Sequence, residues 1–149
     1  MAKPLVIGIG NPLLKDDRAG LLVIEELEKR GADVDVLDLY TVGFDLIDNC
    51  KGREKVIVVD ACMLGFEPGE VVEAAMDEVF TNASLVNSHA ITIGTTLKVG
   101  YEVFPEEMPS DLKLLLIEVK EVDEFTKEMS PEVEAAVEKV VQGIMSGQY

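Results

Sequence analysis

Two apolar runs restrict what this chain can fold into. Leu5-Val6-Ile7-Gly8-Ile9 shows no polar alternation, as in a strand covered on both faces. Val56-Ile57-Val58-Val59 is β-branched throughout and is the clearest strand of the chain. It ends on a carboxylate, Asp60. Strands without alternation belong to parallel sheets with helices on their faces.

The rest of the chain supplies those helices. Leu21, Leu22, Ile24 and Leu27 form a helical stripe after Asp16 and Asp17, both good helix-start residues. Lys29, Arg30 and Gly31 stop it. Val34–Leu39 reads as a second strand and Phe44–Asn49 as a short helix. After the Asp60 strand comes a Pro68-Gly69 turn, and Val71–Ala75 reads as a strand. Leu112–Val119 is a fifth strand. The last helix starts with Ser130 as cap and Pro131 at its first position. Val133, Ala136, Val137, Val140, Val141 and Ile144 then recur at helical spacing. Residues 88–99 are ambiguous: Ile91, Thr92, Ile93, Thr95 and Thr96 favour a strand, while Ile93 and Leu97 would share one face of a helix. The expected architecture is a single α/β domain over residues 1–149. It is a three-layer sandwich with a mostly parallel five-stranded sheet and helices on both faces.

The 149 residues suffice to bury a full core. A formal charge of −16 argues against nucleic acid, which requires clustered Lys and Arg. That charge suits solubility or a partner with a basic segment, or else reflects an acidic habitat. No run reaches the ~18 apolar residues of a membrane span. No signal peptide is evident, so a cytoplasmic protein is expected, as a monomer or weak homo-oligomer. Cys50 and Cys62 form no CxxC pair and read as packed thiols in a reducing compartment.

Open α/β sheets bind ligands beyond the carboxyl ends of their strands. Asp17 lies just past the first strand, Asp38 closes the second, and Asp60 closes the third. His89 is the one histidine. Taken singly, each has a plain reading: Asp16 or Asp17 as a helix cap, Asp38 and Asp60 as turn acceptors, His89 as a structural imidazole. Taken together, they fit a hard-to-borderline metal bound by carboxylate oxygen and imidazole nitrogen. Gly8-Ile9-Gly10 is not a dinucleotide fingerprint, because Leu13 stands where the third glycine belongs. A phosphate-binding G-x-x-x-x-G-K-[ST] loop, a G-x-S-x-G elbow and an H-E-x-x-H helix are all missing from the sequence. Gly8-Ile9-Gly10-Asn11-Pro12 also looks like the start of peptidyl-tRNA hydrolases, but the downstream histidine and basic groove they need are not here.

The full opening, Gly8-Ile9-Gly10-Asn11-Pro12-Leu13-Leu14-Lys15-Asp16-Asp17, resembles the first motif of nickel–iron hydrogenase maturation endopeptidases. Leu37-Asp38 with Thr41 and Gly43, Val58-Val59-Asp60-Ala61 with Pro68-Gly69, Ser88-His89, and Leu116 through Ser130-Pro131 resemble later segments of that family in order. The chain departs from it at Arg18, where a small residue is usual, and at Leu39-Tyr40, which replaces a glycine-rich pair. The β-branched stretch after His89 is a further departure.

The resemblance implies an endopeptidase that removes the C-terminal extension of a hydrogenase large-subunit precursor after nickel insertion. It implies that Asp17, Asp60 and His89 contact the metal, that Asp38 lies near the cleft, and that the Ni²⁺ belongs to the precursor. Cd²⁺ or Zn²⁺ is then expected to occupy the site in vitro. Asp17, Asp38 and Asp60 are the candidates for water activation. A carboxylate beside a cation stays ionised and makes a weak base, so Asp38 or metal-bound water competes for that role. Two other readings stay open: a non-catalytic acidic binding module in metal-centre assembly, and a small-molecule hydrolase with a Mg²⁺ or Mn²⁺ carboxylate site.

Overall fold

The apolar runs become the middle of a sheet. The structure, a computed structural model, describes residues 3–11, 13, 16–63, 65–74, 88–119 and 129–149. Its strands are β1 (Leu5–Ile9), β2 (Asp35–Leu39), β3 (Lys55–Cys62), β4 (Val71–Ala74) and β5 (Asp111–Glu118), in spatial order β2-β1-β3-β5-β4. The first three and β5 run parallel, and β4 joins β5 antiparallel at one edge. The described helices are α1 (Ala19–Lys29), α2 (Phe44–Cys50), α3 (Ser88–Val103) and α4 (Pro131–Ser146). This is the expected three-layer α/β sandwich with a mostly parallel five-stranded sheet. Ala75, expected to end β4, lies outside the described residues, as do Pro12, Leu14 and Lys15 of the opening motif.

The period-2 geometry of the strands explains the missing alternation. Val6, Ile57, Val59, Leu115 and Ile117 pack with Val23, Ile24 and Leu27 of α1 and with α4 residues such as Val140. Leu5, Ile7, Ile9, Val56, Val58, Leu114 and Leu116 pack on the other face with Leu46 and Ile47 of α2 and Ile93 and Leu97 of α3. Each such side chain stabilises the fold by about 1.5–3 kcal/mol on burial. Odd and even positions are therefore apolar for the same reason.

Residues 88–99 are helical. The β-branched propensity of this stretch is overridden by tertiary packing, since Ile93 and Leu97 are both fully buried on one side of α3. One turn on, Gly100 lets the helix close on its neighbours: a Cβ there would sit 2.8 Å from Met108 Cε and 3.3 Å from Ile47 Cγ1.

Helices α1 and α4 lie on the same face and are tied at their surface. Arg30, the residue that caps α1, donates from both terminal nitrogens to Glu138, at 2.7 and 2.6 Å. Its Nε donates to Glu26 at 3.2 Å. The Arg30 bonds hold the Glu138 carboxyl at a pKa of about 2, below its ordinary 4.5. A depressed acid stabilises the fold above its unfolded pKa, and the contribution fades as pH falls through the folded value. Glu138→Gln is therefore expected to lower the melting temperature slightly at neutral pH. The gap should close between about pH 4.5 and 2 in thermal melts.

Ser130 takes the expected cap position of α4, but its side chain makes no cap hydrogen bond. Its carbonyl accepts the Val133 and Glu134 N–H groups instead, at 3.0 Å each.

Candidate active site at the carboxyl edge of the sheet

The loop after β1 is built around one carboxylate. Gly10 extends the ladder by donating to the Leu39 carbonyl at 3.1 Å. The turn Asp16–Arg18, a single 3₁₀ turn, lies directly on this glycine: a Cβ at position 10 would be 2.2 Å from the Asp17 carbonyl oxygen. Asn11 shapes the loop with both ends. Its Oδ1 accepts the Leu13 N–H at 2.9 Å, an Asx turn. Its own N–H donates to Asp17 Oδ2 at 3.2 Å. Asp17 is left 6% exposed.

Helix α1 begins only after this turn. The helix-cap reading of the acidic pair does not hold for Asp17, because Arg18 occupies the cap position and makes no side-chain cap bond. The Asp17 carboxylate has turned back to the β1 loop instead.

Gly20 brings the first turn of α1 onto the sheet. A Cβ there would meet the Val59 carbonyl oxygen at 2.4 Å and that of Ile9 at 2.6 Å. The Asp17 turn is thereby set beside the carboxyl half of β3, which runs on to Cys62 rather than closing on Asp60; Asp60 is 0% exposed and accepts the Ala61 N–H at 2.8 Å. Asp60 shares its parity with Val56 and Val58, so it points to the face covered by α2 and α3. Position 89 lies one turn before Ile93 on α3. The His89 side chain lies outside the described residues. Among the described residues no three metal-ligating side chains converge.

Asp38 is placed differently. It pairs in register with Gly8 on edge strand β2 and shares parity with Val36, which packs toward α1 and α4. It therefore lies on the sheet face opposite to Asp60. Its carboxyl pKa is raised by partial burial first and then by the carboxylates of Glu28 and Glu25 on α1. An acid raised in the fold destabilises it while ionised, and protonation relieves this as pH falls through the folded pKa toward the ordinary 3.8. Asp38→Asn is expected to raise the melting temperature at pH 7, with an advantage that shrinks on acidification. Paired melts across that range check it.

The site also holds a carboxylate that the sequence reading passed over. Glu118 ends β5 in register with Cys62 and is 3% exposed. Its Oε1 accepts the Phe66 N–H at 3.3 Å and lies 3.7 Å from the Cys62 thiol. Its backbone exchanges bonds with Gly69 and Glu70, so it anchors the loop after β3. The signal was present: Leu112–Ile117 runs into an acid just as Val56–Val59 does. Neither cysteine forms a disulfide, both are buried, and burial pushes the Cys50 thiol up to about 12, as expected of packed thiols.

A sandwich that gathers buried carboxylates where parallel strands end is an α/β protein of the ligand-handling, doubly wound kind. The chain belongs to the hydrogenase maturation protease family: the family model described as "HycI: Hydrogenase maturation protease" matches residues 21–147. That range includes Asp38, Asp60 and position 89. The hydrogenase 2 maturation protease of Escherichia coli K12 is 30% identical over 149 residues, covering 95% of this chain and 88% of that protein. The hydrogenase expression/formation protein HupD of Thiocapsa roseopersicina is 27% identical over 143 residues, and the match spans 93% of this chain but 64% of HupD.

Two solved structures share the fold along their length. The [NiFe] hydrogenase maturation protease HybD from Thermococcus kodakarensis superposes with a TM-score of 0.80 at 29% identity, covering 99% of each chain. The hydrogenase maturating endopeptidase HybD from E. coli gives 0.79 at 25%, covering 97% of this chain and 91% of its own. The family is one of proteases, hence hydrolases. No described helix is long and apolar enough to cross a membrane.

Proposed function

We propose that this chain is an endopeptidase that removes the C-terminal extension of a nickel–iron hydrogenase large-subunit precursor after nickel insertion. In this reading the nickel is carried by the precursor and serves as the recognition element. The observation that carries the reading is the pair of buried carboxylates, Asp17 and Asp60, held at one end of the sheet by glycine-tight packing in a chain of this family. Folding places two acids out of water where an apolar residue would cost less. A cation arriving with the substrate would be drawn to their negative charge.

Asp17, Asp60 and His89 are the proposed contacts to the incoming Ni²⁺, which Cd²⁺ or Zn²⁺ would replace in vitro. The two carboxylates would hold and orient the cation. Asp38, on the opposite face, is outside the proposed nickel contacts. The test is direct. Nickel-loaded and nickel-free precursors are incubated with the protein and the tail is followed on a gel. Shortening of the loaded precursor alone is expected. No shortening of the loaded form overturns the protease reading, and equal shortening of both overturns the recognition role of nickel.

A further inference from the structure

Among the described residues eight large apolar side chains are exposed, and five of them follow the carboxyl ends of three strands. Leu13 follows β1, Tyr40 and Phe44 follow β2, and Met63 and Phe66 follow β3. These strands are neighbours in the order β2-β1-β3, so their ends span only about 10 Å. Phe44 is 78% exposed and Tyr40 62%. Together the five present on the order of 500 Å² of surface at the edge that holds Asp17 and Asp60, a size at which apolar surface is often functional. The loops after β2 and β3 are acidic: residues 40–50 and 63–70 contain Asp45, Asp48, Glu67 and Glu70 and no Lys or Arg, while the sequence after β1 carries Lys15 and Arg18 beside Asp16 and Asp17.

We propose that this edge docks a polypeptide segment of the precursor in which large apolar side chains stand among Lys and Arg residues. The proposal rests on the protease reading above. Apolar side chains of the segment seat on the aromatic rim, and its cations meet the acids between the rim residues. A second copy of this chain is a poor occupant. Pairing two such edges sets acidic loops against acidic loops in a protein of net charge −16, and like charges facing each other oppose association. Docking beside Asp17 and Asp60 holds the scissile bond near the site and makes the rim a determinant of which precursor is accepted.

The experiment measures binding of the nickel-loaded precursor to the full chain and to Phe44→Ser/Phe66→Ser and Tyr40→Ser/Phe44→Ser, with processing rates in parallel. All three substitutions fall on exposed positions, and the variant with an unchanged melting temperature is the one interpreted. Kd is expected to rise at least about tenfold, with kcat at saturating precursor kept within about twofold. Wild-type Kd is expected to rise between about 50 and 500 mM NaCl, and less so in Asp45→Asn/Asp48→Asn. Unchanged Kd in the rim variants, or binding indifferent to salt and to the Asp45/Asp48 change, overturns the proposal. So does a wild-type dimer that the rim variants lose, which would make a second copy the occupant. If the binding pattern holds while no precursor is cut, docking stands and the protease reading alone falls.

Discussion

Asp60→Asn is expected to slow precursor processing by at least about 10²-fold while leaving the melting temperature unchanged or higher. Asp60 is fully buried, and an ionised carboxylate removed from water is costly to the fold. Asparagine has nearly the same shape, and its Oδ1 can still accept the Ala61 N–H that Asp60 Oδ1 accepts at 2.8 Å. The negative charge is lost, and the second oxygen becomes an amide donor. A residue that serves the fold would lower stability when changed this way. One that serves a cation brought by substrate lowers turnover and spares the fold. Asp17→Asn should behave alike, since an amide oxygen can also take the Asn11 N–H. Single-turnover processing and thermal melts on the same samples separate the outcomes. Full processing by the Asp60 variant would remove that carboxylate from the mechanism.

What could be read from the amino acids, and what could not, follows from how local each signal is. β1 and β3 are buried on both faces, so their composition alone marked them. α4 announced itself through Pro131 and an apolar stripe of constant spacing. α3 was undecided because its propensity and its periodicity disagree, and only packing against the sheet settles such a conflict.

The site was legible as three acids near strand ends, but which face each one takes was not. Asp38 and Asp60 sit on strands whose register is fixed through β1, and that register puts Asp38 with Val36 on the α1 side. A one-residue shift in parity reverses such an assignment. Asp17 resembled a helix cap because the 3₁₀ turn that redirects it depends on the bare backbone of Gly10. The Arg30–Glu138 fork joins residues 108 apart in sequence, and no local pattern announces it.

Gly20→Ala is expected to lower stability strongly. Helix propensity argues the other way, since alanine in a helix is better than glycine by about 1 kcal/mol. Sterics decide the sign. The new methyl would lie 2.4 Å from the Val59 carbonyl oxygen and 2.6 Å from that of Ile9. Both are backbone atoms of the adjacent strands β1 and β3, so no side-chain rotation relieves them. Helix α1 must lift from the sheet, loosening Val23, Ile24 and Leu27, which are fully buried beneath it. Overpacking of this kind costs about 1–3 kcal/mol, and immovable partners favour the upper end, or about 5–10 °C in melting temperature for a chain of this size.

The lift also carries the Asp17 turn away from Asp60, so processing should fall with stability. Gly43→Ala is the control. A methyl there meets nothing within 4 Å, and the backbone is extended at φ −163°, so little change is expected. Urea unfolding of the two variants beside the wild-type chain reads the contrast. Equal stability of Gly20→Ala and wild type would mean that α1 does not rest on β1 and β3 as closely as the site requires.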